Sequence, residues 1–289
     1  MLYSLYSVGL NNITSVLSKF ETEIDIHSFC CIKNGFLFIS KKDNIISKLN
    51  ENRFFIEDWI KDGIKSPNAI EAKDNRCILI DENGAGIKWV EIEDRCVRKY
   101  GSDFLQKQLR SLFGRIGGDT HIYCSMGENN IYLSIDFLNK CFEIDENEIK
   151  RVIGSGRSGY GISNRLNNYL LDEPSGIFCI EDSVYICDKN NHVIRKMERD
   201  KIKTIGNPIQ PNHKDGSFLE CGMEKPMGIK FNKRMGYFID GNNIRYLSNK
   251  NETIGTMLKV DNLVSIDVDD KNLYYLVKMV KNEKGSRNS

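Results

Sequence analysis

Hydrophobic residues in this chain fall into short runs, alternating with polar residues or wholly apolar, and separated by clusters of Asn, Asp and Gly. A period of two over so short a run marks a β-strand, and Asn, Asp and Gly supply the turn conformations between strands. The stretch 185–206, YICDKNNHVIRKMERDKIKTIG, shows the unit: an alternating strand, a turn on Asn-Asn-His, a second strand through Ile-Arg-Lys and a third closing on Thr-Ile-Gly. One segment breaks the pattern. In FLQKQLRSLF the apolar residues Phe104, Leu105, Leu109, Leu112 and Phe113 have the spacing of a short amphipathic helix.

The unit repeats. The segment opening at Pro174, PSGIFCIEDSVYICDKNNHVIRKMERDKIKTIG, and the one opening at Pro226, PMGIKFNKRMGYFIDGNNIRYLSNKNETIG, agree at Pro-x-Gly-Ile, at the Asn-Asn turn, at Ile-Arg and at Thr-Ile-Gly. Weaker copies open near 27, 67, 121 and 262. A unit of three or four short strands cannot bury both faces alone, and radial stacking around an axis solves this. The expected fold is therefore all-β: a six-bladed β-propeller of four-stranded antiparallel blades, a single domain over 1–281. The blades are expected near 27–60, 67–101, 121–154, 174–206, 226–257 and 262–281. The last copy lacks an outer strand, and strand 2–9, LYSLYSVG, is expected to complete it and so remove two free edges. A five-bladed ring with separate terminal pieces is the competing arrangement. Residues 282–289 are expected to be a disordered tail.

Pro174, Gly176, Ile177, Tyr185, Asp188, Asn191, His192, Ile194, Arg195, Thr204 and Gly206 together resemble the NHL repeat family of β-propellers. The link HKDGSFLECGMEKPMG resembles that family's connector at Asp215, Gly216, Pro226 and Gly228, with Cys221 and Met223 as apolar replacements. The resemblance is specific in blades four and five and degenerate elsewhere: Ser163 and Asn164 stand where Asp-Gly is expected, and Lys42 and Asp43 replace the core of the blade-one turn. The matched residues carry structural roles. Gly176 and Gly228 let inner strands pack close to the axis. Asp188 and Asn191 suit a turn, His192 is a turn or interblade residue, and Arg195 and Arg245 pair with the turn carboxylates Asp188 and Asp240.

Composition narrows the chemistry. The 41 basic and 40 acidic residues give a net charge of +1, and a chain that lives by attraction to phosphate backbones is far more basic. Nucleic acid is thus a disfavoured partner, with single-stranded RNA, bound by some NHL propellers, as a lesser alternative. Nine cysteines, none spaced Cys-x-x-Cys and most within apolar runs, read as buried small hydrophobes in a reducing, cytoplasmic setting. The segment MLYSLYSVGLNNITSV has no basic leader region, and no run reaches the length of a membrane helix. GSGRSGYG at 154–161 lacks the Gly-Lys-Ser/Thr ending of a phosphate loop, and the usual hydrolase signatures are missing.

Three long connectors, 102–120, 155–173 and 207–225, precede blades three, four and five and are expected to share one sector of one face. Loops on a rigid scaffold commonly carry function. Phe104, Lys107, Arg110, Phe113, Arg115, Arg157, Tyr160 and Arg165 are the candidate partner-binding residues. The expected function is a non-enzymatic protein-interaction scaffold within a larger complex, with no cofactor. The alternative is a lyase or hydrolase holding a divalent metal in the central channel. His27 and His121 would be its ligands, with Asp25 and Asp119 nearby and His213 within reach of the face.

Overall fold

A computed structural model describes residues 1–9, 14–49, 57–81, 85–113, 120–161, 163–233 and 235–279. Its sheets are six antiparallel blades. Blade one runs Ser28–Ile32, Gly35–Ser40, Ile45–Leu49, Glu57–Ile60 from inside out, and blade two Ala69–Lys73, Arg76–Asp81, Gly86–Glu91, Cys96–Lys99. Blade three is Ile122–Met126, Ile131–Ile135, Lys140–Ile144, Ile149–Ile153, and blade four Pro174–Ile180, Ser183–Asp188, Val193–Glu198, Lys201–Ile205. Blade five is Pro226–Phe231, Met235–Asp240, Asn243–Ser248, Thr253–Lys259, with the connector piece Gly216–Ser217 added on its outer edge. The five-bladed alternative is thereby replaced by six.

Blade six is closed by strand 2–9, as expected, and takes one further strand beyond it. Its inner strands Leu263–Val268 and Asn272–Met279 are followed by two strands from the other end of the chain, Leu2–Gly9 and then Thr14–Glu21. Leu2–Gly9 pairs with Asn272–Met279 from Leu2↔Met279 through Gly9↔Asn272, so it is the third strand and not the outermost. The segment Thr14–Glu21 supplies the edge that strand 2–9 was expected to form.

Both faces of each blade are covered, which is why so many strands read as unbroken apolar runs. Period two sends alternate side chains to opposite neighbours. From blade one, Phe36 and Phe38 pack with blade six, whereas Leu37 and Ile39 pack with blade two. Six hydrophobic clusters result, one for each blade interface. The matched glycines Gly176 and Gly228 serve two different needs. A Cβ on Gly176 would stand 2.7 Å from the backbone nitrogen of Gly228 in the next blade, while Gly228 itself has φ +60°.

The carboxylate at the end of the second strand latches the segment that leads into each blade. Asp81 accepts the Lys65 N–H (2.8 Å), Asp136 that of His121 (3.1 Å), Asp188 that of Asp172 (2.7 Å), and Asp240 those of Glu224 (2.9 Å) and Lys225 (2.7 Å). In blade one Ser40 holds this position, and Asp43 takes over by accepting the Asp25 N–H at 3.3 Å and the Ser40 hydroxyl. The departure in the blade-one turn therefore keeps the latch and moves its carboxylate three residues on.

Candidate functional site

The inner strands surround a well of about 650 Å³ on the axis, open on the side where those strands begin. Its two halves differ in chemistry. On the side of blades four to six the wall is mostly apolar, with Gly176, Ile177, Met227, Ile229, Ile239, Val264 and Ile266, and Ser265 and Lys230 as its polar members. On the side of blades one to three stand Asp25, His27, Lys41, Lys42, Asn68, Thr120 and His121, all on segments that lead into a blade or turn at its mouth.

His27 organises this polar rim. Its Nε2–H donates to the Asn68 carbonyl (3.1 Å) while Nδ1 accepts the Lys41 N–H (3.3 Å), and burial pushes its pKa down to about 4, so the ring is neutral. The Lys41 ammonium in turn donates to Asn68 Oδ1 (3.1 Å) and to the Thr120 carbonyl (3.2 Å). The ring thus fixes the lysine's anchor points. His121 Nδ1 lies 3.1 Å from Asp136 at the exposed lip. His213 contacts Asp240 (2.9 Å) and Glu224 (3.0 Å) in blade five and does not line the well. Asp119 lies outside the described residues. The residues of the metal expectation are therefore not assembled into one ligand set, and both nitrogens of His27 are already bonded. No group of three or more His, Cys, Asp or Glu poised for a metal occurs among the described residues.

The floor of the well is a layer that sequence reading missed. Equivalent register positions of the inner strands place Cys30, Glu71, Ser125, Phe178, Lys230 and Asp267 at one level. Lys230 of blade five bonds Glu71 of blade two, its opposite in a ring of six, so the pair bars the channel. The Lys230 ammonium also lies 5.8 Å from the Phe178 ring centroid. Burial raises the Glu71 pKa to about 7, opposed by Lys230 and reinforced by Asp267, and the two carboxylates hold Lys230 firmly charged. The available signal was a charged residue interrupting each apolar inner strand, in AIEAK, PMGIKF and LVSIDV.

The connectors occupy consecutive interfaces and spend most of their apolar residues there. Helix α1, Asp103–Phe113, begins where Ser102 Oγ accepts the Leu105 N–H (3.1 Å). Its Leu105, Leu109 and Phe113 enter the cluster between blades two and three. Tyr169 and Leu171 fill the next interface, and Cys221 and Met223 the one after, as apolar replacements should. Phe113 is a correction: fully buried, with its ring 5.1 Å from Phe142, it belongs to the core and not to a partner surface. Phe104, Lys107, Arg110, Arg157 and Arg165 are exposed. Arg115 lies outside the described residues. Tyr160 is half exposed, and its other side covers Arg195, with 4.5 Å from ring centroid to guanidinium.

One third-strand position receives each connector. At equivalent register it is Lys88, Phe142, Arg195 and Arg245 in blades two to five. Lys88 bonds the Gly63 carbonyl (2.7 Å) and Asp81, and Phe142 meets Phe113. Arg195 is fully buried, bonded to Asp188 (2.8 Å), with Tyr160 and Tyr169 over its guanidinium. Burial outweighs this arginine and lifts the Asp188 pKa above the usual carboxylate range. Asn191 donates to Asp188 (2.8 Å). His192, at φ +60°, donates from Nδ1 to the Glu224 carbonyl of the following connector. Arg245 bonds Asp240 (3.0 Å), Asp215 (3.0 Å) and the Lys214 carbonyl (2.9 Å).

No protein-family model and no curated protein matches this sequence. Solved structures do match in shape. A Bacteroides thetaiotaomicron protein of unknown function aligns with a TM-score of 0.63 at 13% identity, over 95% of this chain and 76% of that one. A streptogramin B lyase aligns at 0.58 and 13% identity, over 95% and 80% of the two chains. A chain of a nidogen/laminin complex aligns at 0.57 and 11% identity, over 95% of this chain and 97% of that one. At such identities the likeness establishes the propeller fold and nothing finer. No helix among the described residues is long and apolar enough to cross a membrane.

Proposed function

We propose that the protein is a non-enzymatic interaction module, a divergent NHL-like ring that docks a partner protein on the sector built by its three long connectors. One observation carries this reading. Of the ten exposed large hydrophobic side chains among the described residues, Phe104, Leu112, Tyr160, Ile209 and Leu219 stand on these connectors, Ile209 being 86% and Leu219 81% exposed. The connectors already bury an apolar set in the blade interfaces, and of this second, outward set only Tyr160 is also packed on a buried charge, that of Arg195. Large exposed apolar groups on otherwise polar loops mark interaction surfaces. A similar ring in a complex of nidogen and laminin is a precedent for protein docking by this architecture.

The test is a photo-crosslinking amino acid placed at Phe104 and, as the control, at Val16, which is equally exposed on blade six. In the native source the Phe104 position should yield a discrete crosslinked partner that the Val16 position does not, and Leu112→Asp should abolish it. Equal crosslinking from both positions would discard this surface.

A further inference from the structure

The well points to a ligand independent of that docking surface. Among the described residues that line it, the rim carries Lys41 and Lys42 on one turn and the carboxylate of Asp25. That carboxylate is already bonded to Lys278 (2.7 Å) and the Tyr3 hydroxyl (3.1 Å). Ile177 of blade four stands across the axis from the blade-one lysines of the rim, and Ile229 and Ile239 of blade five and Ile266 of blade six continue the apolar wall round toward them. A volume of about 650 Å³ lies within the ~300–1,000 Å³ of small-molecule sites, which pair apolar walls with a few fixed polar groups. The Lys41 ammonium is such a group, held by Asn68 and Thr120 with His27 behind it.

We propose that the well binds an amphipathic organic anion, its carboxylate or sulfonate met by Lys41 and Lys42 at the rim and its apolar body lying along the isoleucine wall. Two physical features select this class. Lysines at the edge of a concave, low-dielectric wall concentrate anions and repel cations. The apolar half offers few polar partners to a ligand that is hydrophilic all round, Ser265 and the ion-paired Lys230 among the described residues, whereas a hydrocarbon or aromatic body gains about 25 cal/mol for each Å² it buries there. The Lys230–Glu71 bar below sets a limit on how deep that body reaches.

The experiment uses anilinonaphthalene sulfonate as a fluorescent probe on the intact protein, with displacement by decanoate, decylamine and decanol, which share one tail and differ in head charge. Decanoate should displace the probe at least about tenfold more tightly than decylamine, with decanol between them. Lys42→Met, at an exposed position that leaves folding intact, and Lys41→Met should each weaken decanoate while leaving decanol unchanged. Ser265→Phe, which puts a ring into the half-buried wall, should block all three. Thermal melts of each variant separate loss of binding from loss of fold. Decylamine binding as tightly as decanoate, or probe binding untouched by Ser265→Phe in a folded variant, would overturn the proposal. Partner crosslinking at Phe104 should persist in Ser265→Phe, so the two readings stand or fall separately.

Discussion

In blades four and five the third strand sends a fully buried arginine to the latch carboxylate; in blade three the same position is Phe142, and Asp136 turns instead to the exposed His121. The substitution is tied to what each connector brings. Connectors leading into blades four and five offer π faces, carbonyl oxygens and a carboxylate, in Tyr160, Tyr169, Lys214 and Asp215, which suit a guanidinium. The connector into blade three brings a helix, and a helix offers its side an apolar stripe, so the receiving residue is aromatic. One socket in the blade thus accepts two connector chemistries, and the latch carboxylate needs a buried cation in only one of them.

The largest expected effect breaks this comparison directly. Asp240→Ala takes from the fully buried Arg245 its only buried carboxylate, leaving the half-exposed Asp215, and removes the acceptor of two backbone N–H groups, at a cost of about 3 kcal/mol. Asp136→Ala leaves no buried cation behind and should cost about 1 kcal/mol in the same urea-unfolding measurement. Similar losses from the two variants would mean that the arginine has no special claim on the latch.

Blade one, with Ser40 and Ser47 in place of carboxylate and cation, relies on the neutral ring of His27, and that difference has a pH signature. The folded ring resists protonation until about pH 4, while the unfolded chain takes up its proton near 6.5. Stability from this group is fully present above 6.5 and falls as the pH drops toward 4, by up to roughly 3 kcal/mol. His27→Gln should flatten the stability profile in that window.

The smallest effect belongs to Tyr160. Tyr160→Ala removes one of the two rings over Arg195 and should lower stability by about 0.5–1 kcal/mol, since half of that ring already faces water. A larger loss would show the connector to be a structural element of blade four rather than a cover on it.

The ring was legible because its blades obey local rules. Period-two runs, Asn and Gly turns and the repeated Pro-x-Gly-Ile are all short-range, and they placed the blades and pointed to closure through strand 2–9. The second closing strand escaped because TSVLSKFE carries Val16 and Leu17 outward, on the uncovered edge of blade six, where alternation decays. Phe113 was read outward because a helix wheel shows which residues share a side but not which side docks. The Lys230–Glu71 bar joins residues 159 positions apart on opposite blades. No local pattern encodes such a pair, and each charge taken alone looks like a flaw in a buried strand.

The closure of blade six also sets an order of events. Leu2–Gly9 and Thr14–Glu21 leave the ribosome roughly 250 residues ahead of their partner Asn272–Met279. At about 5–20 residues per second the interval is on the order of tens of seconds. For that time the nascent chain carries a hairpin with a bare edge, and the five finished blades form an open arc. Ring closure is then the capture of a waiting hairpin, whose bare edge is open to pairing with other chains until its partner strand arrives.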